Sequence, residues 1–344
     1  MSNPESPDVL RMSLAASMTL GFKEGRFYRG ARLPCVNLLL TYLDGCVGSC
    51  SYCGLSRKRD GAYPDKSFIR VTWPTYNTDD IIERMIEKED RLKRVCISMI
   101  TNKRATADTL DVTKRIRAKL DLPISLLITP TLLSEEDLTA FKEAGAERIG
   151  VAVDAVTPSL FDEHRGRAMK GPHKWEKYWE IIQQALEIFG EGMVGVHLIV
   201  GLGETEKEMA QAMQRVRDKG GRTHLFSFFP EEGSWLADQP QPSAGQYRRM
   251  QIARFLIDEA VSREDRFDYD EKARALGFGI PDEELSRVID LGVPFMTSGC
   301  PDDTGRVACN RPYGDSMPGP DIRSFPFLPE EEDLAKIRAE LKTY

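Results

Sequence analysis

Short apolar runs alternate with longer segments whose apolar residues recur at helical spacing. Val36–Tyr42, Arg94–Ile100, Ile124–Ile128, Arg148–Val153, Val194–Val200 and Leu225–Phe228 read as strands. Asp79–Glu89, Ala107–Leu120, Glu135–Glu143, Trp175–Phe189, Glu206–Lys219 and Ala244–Glu259 read as helices. Near-continuous apolar strands are the mark of parallel strands buried on both faces. The expected fold is therefore α/β, a partial or complete six-unit β/α barrel. Residues 1–34 read as an N-terminal extension with one weakly amphipathic helix, Val9 to Met18, and residues 35–290 as the barrel. Residues 291–344 form a tail rich in Gly, Pro and Asp, closed by a polar helix at Glu330–Leu341. An irregular stretch of that length in a compact protein is usually functional or unfolded.

The chain has 344 residues, 41% of them hydrophobic and 29% charged, with a net charge of −7. That balance argues against a broad nucleic-acid-binding surface. No run approaches the ~20 apolar residues of a membrane span, and the N-terminus lacks the basic start and apolar core of an export signal. A cytoplasmic location is expected, where the seven cysteines serve better as metal ligands and free thiols than as disulfides.

The first strand runs straight into Cys46-Val-Gly-Ser-Cys50-Ser-Tyr-Cys53. Three thiolates on one short loop suit three corners of a 4Fe–4S cube and leave one iron open. Zinc would want a fourth Cys or His close by, and the nearest histidine is His164. The motif resembles the CxxxCxΦC signature of the radical S-adenosylmethionine (SAM) superfamily, with Tyr52 as its aromatic residue. The resemblance implies a β/α barrel whose C-terminal face holds the cluster, with SAM chelated at the open iron and cleaved to a 5′-deoxyadenosyl radical. It also implies a SAM pocket. Gly201-Leu-Gly203-Glu204 resembles the family's adenine-contacting turn. Thr101 and Asn102 stand where many members carry Gly-Gly-Glu beside the methionyl amino group. Asp154 and Arg165 match the polar residue and arginine that lie near SAM in the biotin synthase-like branch, Arg165 suiting a bidentate grip on a carboxylate. An ion pair of Arg165 with Asp162 or Glu163 on the surface is the competing reading.

Four cysteines remain. Cys300 and Cys309 sit in the irregular tail and Cys35 opens the first strand. A tail poor in apolar residues must be held by something, and a metal cluster would fold it onto the barrel. Cys35, Cys300 and Cys309 are thus candidate ligands of an auxiliary 4Fe–4S cluster, with Ser298 as a possible fourth, and Cys35 is expected on the triad's side of the barrel. Cys96, inside an apolar strand, reads as a buried core thiol, with an auxiliary-cluster ligand as the sharper alternative. His164, His173, His197 and His224 form no ligand pair at helical spacing and receive no role.

The tail, TSGCP…CNRPY…PGP…FPF, together with Cys35 resembles the two-component lipoyl synthases. That likeness implies a sulfurtransferase that inserts sulfur into an octanoyl chain on a lipoyl-carrier protein. It would work beside a sister radical SAM protein, with a reductant such as ferredoxin or flavodoxin. The second cluster would be the sulfur donor, and Ser298 a catalytic ligand that releases its iron more readily than a thiolate. Two other readings stand beside it: another biotin synthase-like enzyme, such as a carbon-skeleton mutase or a metallocofactor maturase, and a non-catalytic iron–sulfur carrier.

Overall fold

The computed structural model describes residues 5–68, 71–309 and 321–343. Strand β1 (Val9–Met12), helix α1 (Leu14–Thr19), β2 (Cys35–Leu39), β3 (Thr75–Asn77) and α2 (Thr78–Glu87) open the chain. The β/α repeat continues with β4 (Arg94–Ser98), α3 (Ala105–Arg117), β5 (Ile124–Ile128), α4 (Glu135–Glu143), β6 (Arg148–Asp154), α5 (Pro158–His164) and α6 (Trp175–Phe189). It ends with β7 (Val194–Val200), α7 (Glu206–Asp218), β8 (Arg222–Ser227) and α8 (Ala244–Asp258). A hairpin of β9 (Asp268–Tyr269) and β10 (Ala275–Gly277), then α9 (Asp282–Asp290) and α10 (Glu331–Leu341), complete the described elements.

One eight-stranded sheet runs β3-β1-β2-β4-β5-β6-β7-β8 and does not close on itself. β2 and β4 to β8 pair in parallel, the six-unit barrel pattern expected, while β1 pairs antiparallel with both β2 and β3. The first residues thus correct the sequence reading, since Val9–Met12 is a strand and the helix begins only after Ser13. The Ser13 hydroxyl accepts from the Ala16 amide, which caps α1. Leu10 and Met12 are fully buried. Pairing with β2 and β3 overrides the local helical pattern.

Side chains alternate across each strand. On one face Val36, Leu38, Val95, Ile97, Val151, Val196 and Leu198 join the main hydrophobic core. On the other, Leu39, Cys96, Leu127, Ala152, His197, Ile199 and Phe226 line internal cavities. The cysteines fall at two ends. The triad lies beyond the C-terminal end of β2, whereas Cys35 opens that strand and pairs in register with Arg94, the first residue of β4. The expected place for Cys35 beside the triad is therefore corrected, because strand β2 separates them. The tail stretch NRPYGDSMPGP lies outside the described residues.

Candidate active site

Several barrel loops hold the triad loop. The Val47 amide donates to the Thr101 carbonyl (2.9 Å), Ser49 Oγ to the Met169 carbonyl (2.8 Å), and Asn102 Nδ2 to the Gly45 carbonyl and the Asp44 carboxylate (both 3.0 Å). The Ser51 amide bonds to the His164 carbonyl (2.9 Å), and Ser51 Oγ lies 2.9 Å from His164 Nδ1. His164 Nε2 faces the Leu202 carbonyl at 2.8 Å, and since a carbonyl only accepts, Nε2 donates to it. His164 thus ties the triad loop to the Gly201–Glu204 turn.

Cys46, Cys50 and Cys53 all line a cavity of about 220 Å³ at this end of the barrel. No other cysteine lines it. Burial pushes the Cys50 thiol up, against the nearby Arg165 guanidinium, and pushes Cys53 further up, with Cys50 and Cys46 adding to the effect. Three half-buried cysteines with no fourth thiol beside them suit a cube with one open iron. A bound metal would replace the protons that burial otherwise favours.

Behind the loop runs a buried polar chain. Tyr52 OH donates to the Asp154 carboxylate, and Asp154 pairs with Arg165 at 3.0 Å. Arg165 also donates to the Val153 carbonyl (3.0 Å) and to Tyr178 OH (3.0 Å). His173 Nδ1 lies 3.0 Å from Tyr178 OH and 2.6 Å from Thr131 Oγ1. Burial, then the Arg165 charge, drives His173 down to about 2, so the ring is neutral at physiological pH. Arg165 faces inward; it is Arg167 that pairs with Asp162, at 3.4 Å. Arg165 Nε is buried without a partner, and Arg165 lines the cavity. An anionic ligand such as the carboxylate of SAM fits that unmet donor.

Tyr52, Thr101, Asp154 and Arg165 line the cavity. Asn102, Gly201, Gly203 and Glu204 are not among the lining residues. Asn102 is spent on holding the triad loop. Glu204 is spent on its own turn, accepting the amides of Gly201 (2.7 Å) and Leu202 (2.9 Å), and burial lifts its carboxyl to about 7. Gly201 and Gly203 have φ of +107° and +108°, which side-chain-bearing residues rarely adopt. A β-carbon on Gly201 would also lie 2.8 Å from Pro242 Cδ, whereas one on Gly203 would meet nothing closer than 3.4 Å. Gly203→Ala is thus expected to cost about 1–2 kcal/mol from backbone strain alone, and Gly201→Ala at least about 1 kcal/mol more from crowding. Urea unfolding of the two variants checks the order; equal costs would show that the Pro242 contact relaxes freely.

At the other end of the barrel, Cys35, Cys96 and Cys309 form a separate buried cluster with Cys300 packed against it. Cys96 is buried, as a core thiol would be, and it packs together with these cysteines. The residues between Cys300 and Cys309 fold back on themselves, so the Cys309 amide donates to the Cys300 carbonyl at 3.0 Å and the two thiols sit side by side. Arg94 clasps this hairpin to the barrel, with Nε on the Pro301 carbonyl (2.6 Å), Nη1 on Ser125 Oγ (2.9 Å) and Nη2 on Glu147 (2.6 Å). Cys309 Sγ and Cys35 Sγ lie 3.5 Å and 3.9 Å from Asn37 Oδ1. The bond with Cys35 is the main reason the Cys309 thiol is pushed up. Burial alone would raise Cys300, but its neighbours, the hydrogen bond with His224 first among them, outweigh that and bring it down to about 6. Ser298 is placed differently from expectation, because its hydroxyl accepts from the Leu225 amide of β8 at 2.8 Å.

A second, smaller cavity touches Cys96, Cys300, Cys309, His197 and His224, and Leu127, His197 and Phe226 line both cavities. The histidines therefore hold positions that their spacing did not reveal. The available signal was a polar imidazole inside each of two otherwise apolar strand runs, VGVHLIV and THLFS.

The family model of the radical SAM superfamily matches residues 40–216, just over half of the chain. The chain belongs to the radical SAM superfamily. Among curated relatives, it is 30% identical to a GTP 3′,8-cyclase from Microcystis aeruginosa over 28% of this chain and 31% of that protein. It is 24% identical to a GTP 3′,8-cyclase from Acaryochloris marina over 36% and 37% of the two chains. The matched stretch thus spans about a third of those relatives' length. Among solved structures, the FeFe-hydrogenase maturase HydG from Carboxydothermus hydrogenoformans superposes with a TM-score of 0.52 at 15% identity, over 95% of this chain and 69% of that one. That likeness concerns the fold alone. A 4Fe–4S cluster and SAM come with the superfamily, and the radical SAM chain carries the cysteines to hold the cluster. Among the described residues no helix is long and apolar enough to cross a membrane.

Proposed function

We propose that this radical SAM enzyme inserts sulfur into a protein-bound octanoyl chain, as one component of a two-protein lipoyl synthase. The observation that carries the reading is the convergence of Cys35, Cys96, Cys300 and Cys309 at the end of the barrel opposite the triad, with apolar cavity walls in between. Four thiols at one place suit the four corners of a cubane, and a cluster there would be the consumed sulfur donor.

The cavity wall favours an acyl chain. Leu39, Met99, Leu127, Ile199, Phe226 and Phe228 line it. Among the described lining residues the only Lys or Arg is Arg165, already paired with Asp154. A nucleoside triphosphate, suggested by the name of the curated relatives, would need several cations around its phosphates. A hydrocarbon needs only the apolar wall.

When bound, the triad's cluster and SAM supply a 5′-deoxyadenosyl radical. The protein's part is to grip SAM through Arg165, to fix that guanidinium by Asp154, Tyr178 and the Val153 carbonyl, and to keep water from the reacting carbon with the apolar wall. A second cluster held by Cys35, Cys96, Cys300 and Cys309 would supply the sulfur and take up the one electron left over as the carbon–sulfur bond forms, the displaced hydrogen ending in 5′-deoxyadenosine. The partners implied are an octanoylated lipoyl-carrier protein, a sister radical SAM protein, and a one-electron reductant such as ferredoxin or flavodoxin.

The test is a Cys35→Ala, Cys96→Ala double variant, reconstituted anaerobically. It is expected to hold about four fewer irons per chain than wild type. It should still cleave SAM, which also shows that it has folded, but it should transfer no sulfur to an octanoylated carrier with the sister protein present. Unchanged iron content, or a thiolated carrier, would sink the reading.

A further inference from the structure

His224 stands beside the four-cysteine group in the posture of a metal-binding imidazole. Its Nδ1 faces the Ser298 carbonyl. A carbonyl cannot donate, so Nδ1 holds a proton, and in the neutral ring Nε2 then carries the lone pair. Anchoring one ring nitrogen on a backbone carbonyl while the other is free is how proteins orient histidine ligands. Nε2 lies 4.0 Å from Cys300 Sγ, its hydrogen-bond partner in the absence of metal.

The ring's place is built into the neighbouring strand. His224 pairs in register with His197, and the ring leans over Gly195, where a β-carbon would overlap Nε2. Any larger residue at Gly195 would move the ring off Cys300. The imidazole also borders the small cavity that reaches Cys96, Cys300 and Cys309.

The four thiols are not equivalent. Cys35, Cys96 and Cys309 are buried at 2%, 6% and 5% exposure, whereas Cys300 is only partly buried. Cys300 is thus the corner from which a ligand is most readily displaced, and it is the corner His224 faces.

We propose that His224 is a reserve ligand of the second cluster, able to take the iron corner held by Cys300. The assignment rests on the second-cluster reading above and deepens it. The exchange breaks one iron–sulfur bond and forms one iron–nitrogen bond, and the released Cys300 thiolate takes up a proton from solvent. No electron moves. A corner with two alternative donors can be opened for sulfide to leave while its iron stays on the protein.

The experiment uses the full chain, reconstituted anaerobically with iron and sulfide, labelled with ¹⁵N-histidine and measured without SAM. Wild type should bind about eight irons, the content of two cubanes. Cys300→Ala should retain about eight, and pulsed electron paramagnetic resonance of the reduced protein should show a ¹⁵N coupling absent from wild type. The Cys300→Ala, His224→Ala double variant should fall to about four irons and lose that coupling, while still cleaving SAM as proof of folding. A Cys300→Ala protein that falls to about four irons, or keeps eight without the coupling, overturns the assignment and leaves the second cluster standing. Wild type with only about four irons overturns both together.

Discussion

Replacing Cys46, Cys50 and Cys53 together with alanine is expected to abolish reductant-dependent SAM cleavage and to remove about four irons per chain. No other thiol can substitute. The remaining four cysteines group away from the C-terminal end of β2 that carries the triad, and none of them lines the triad's cavity. The loop itself should persist, because its anchors to Thr101, Met169 and His164 involve backbone and Ser49 and Ser51 rather than the sulfurs. Undiminished formation of 5′-deoxyadenosine by the variant would contradict the assignment of this loop as the SAM-cleaving centre.

The second large effect is expected at Arg165. Its side chain and that of Asp154 are 8% and 11% exposed, so Arg165→Met strands a buried carboxylate. Breaking a buried pair by removing one partner typically costs about 3–5 kcal/mol. Burial already pushes the Asp154 carboxyl up, with Arg165 and then Tyr52 opposing the shift. Without the arginine, Asp154 should take up a proton more readily, so the variant should lose more stability at high pH than at low pH. Pairing the change with Asp154→Asn should restore much of the stability, because neither partner is then left charged. SAM binding should stay lost in both variants, since the donors aimed into the cavity are gone. Urea unfolding and equilibrium dialysis with SAM separate the two roles. Wild-type SAM affinity in the Asp154→Asn, Arg165→Met protein would reduce Arg165 to a structural strut.

Much of the barrel is legible in the chain because its signals are local. Ile124–Ile128 and Val194–Val200 are apolar runs of strand length, and the structure gives them those bounds. Glu135–Glu143 follows a Ser134 cap that reciprocates with Asp137. The triad is legible because its spacing sits on one loop. What fails is whatever depends on partners distant in sequence. Val9–Met12 becomes a strand only through β2 and β3. Cys96 is legible as a buried thiol, but its neighbour Cys309 comes from more than two hundred positions away. His197 and His224 carry no spacing signal, because adjacent parallel strands bring them together, with ring centroids 5.3 Å apart. Ser298 looks like a ligand from its nearness to Cys300, yet its hydroxyl closes a backbone bond at β8. The turn at Gly201–Glu204 is legible as a turn, but its place behind the cavity wall is a matter of three-dimensional packing.

The hairpin clasped by Arg94 sets an order for biogenesis. A ribosome releases the triad loop, with all three of its thiols, long before it releases residue 300. The second thiol group exists only once the last two cysteines have docked onto strands made some two hundred residues earlier. Iron–sulfur delivery to the SAM-cleaving end can therefore begin on a nascent chain. The second cluster proposed above would have to wait for Cys300 and Cys309, so a chain truncated before Cys300 would be expected to mature at the triad alone.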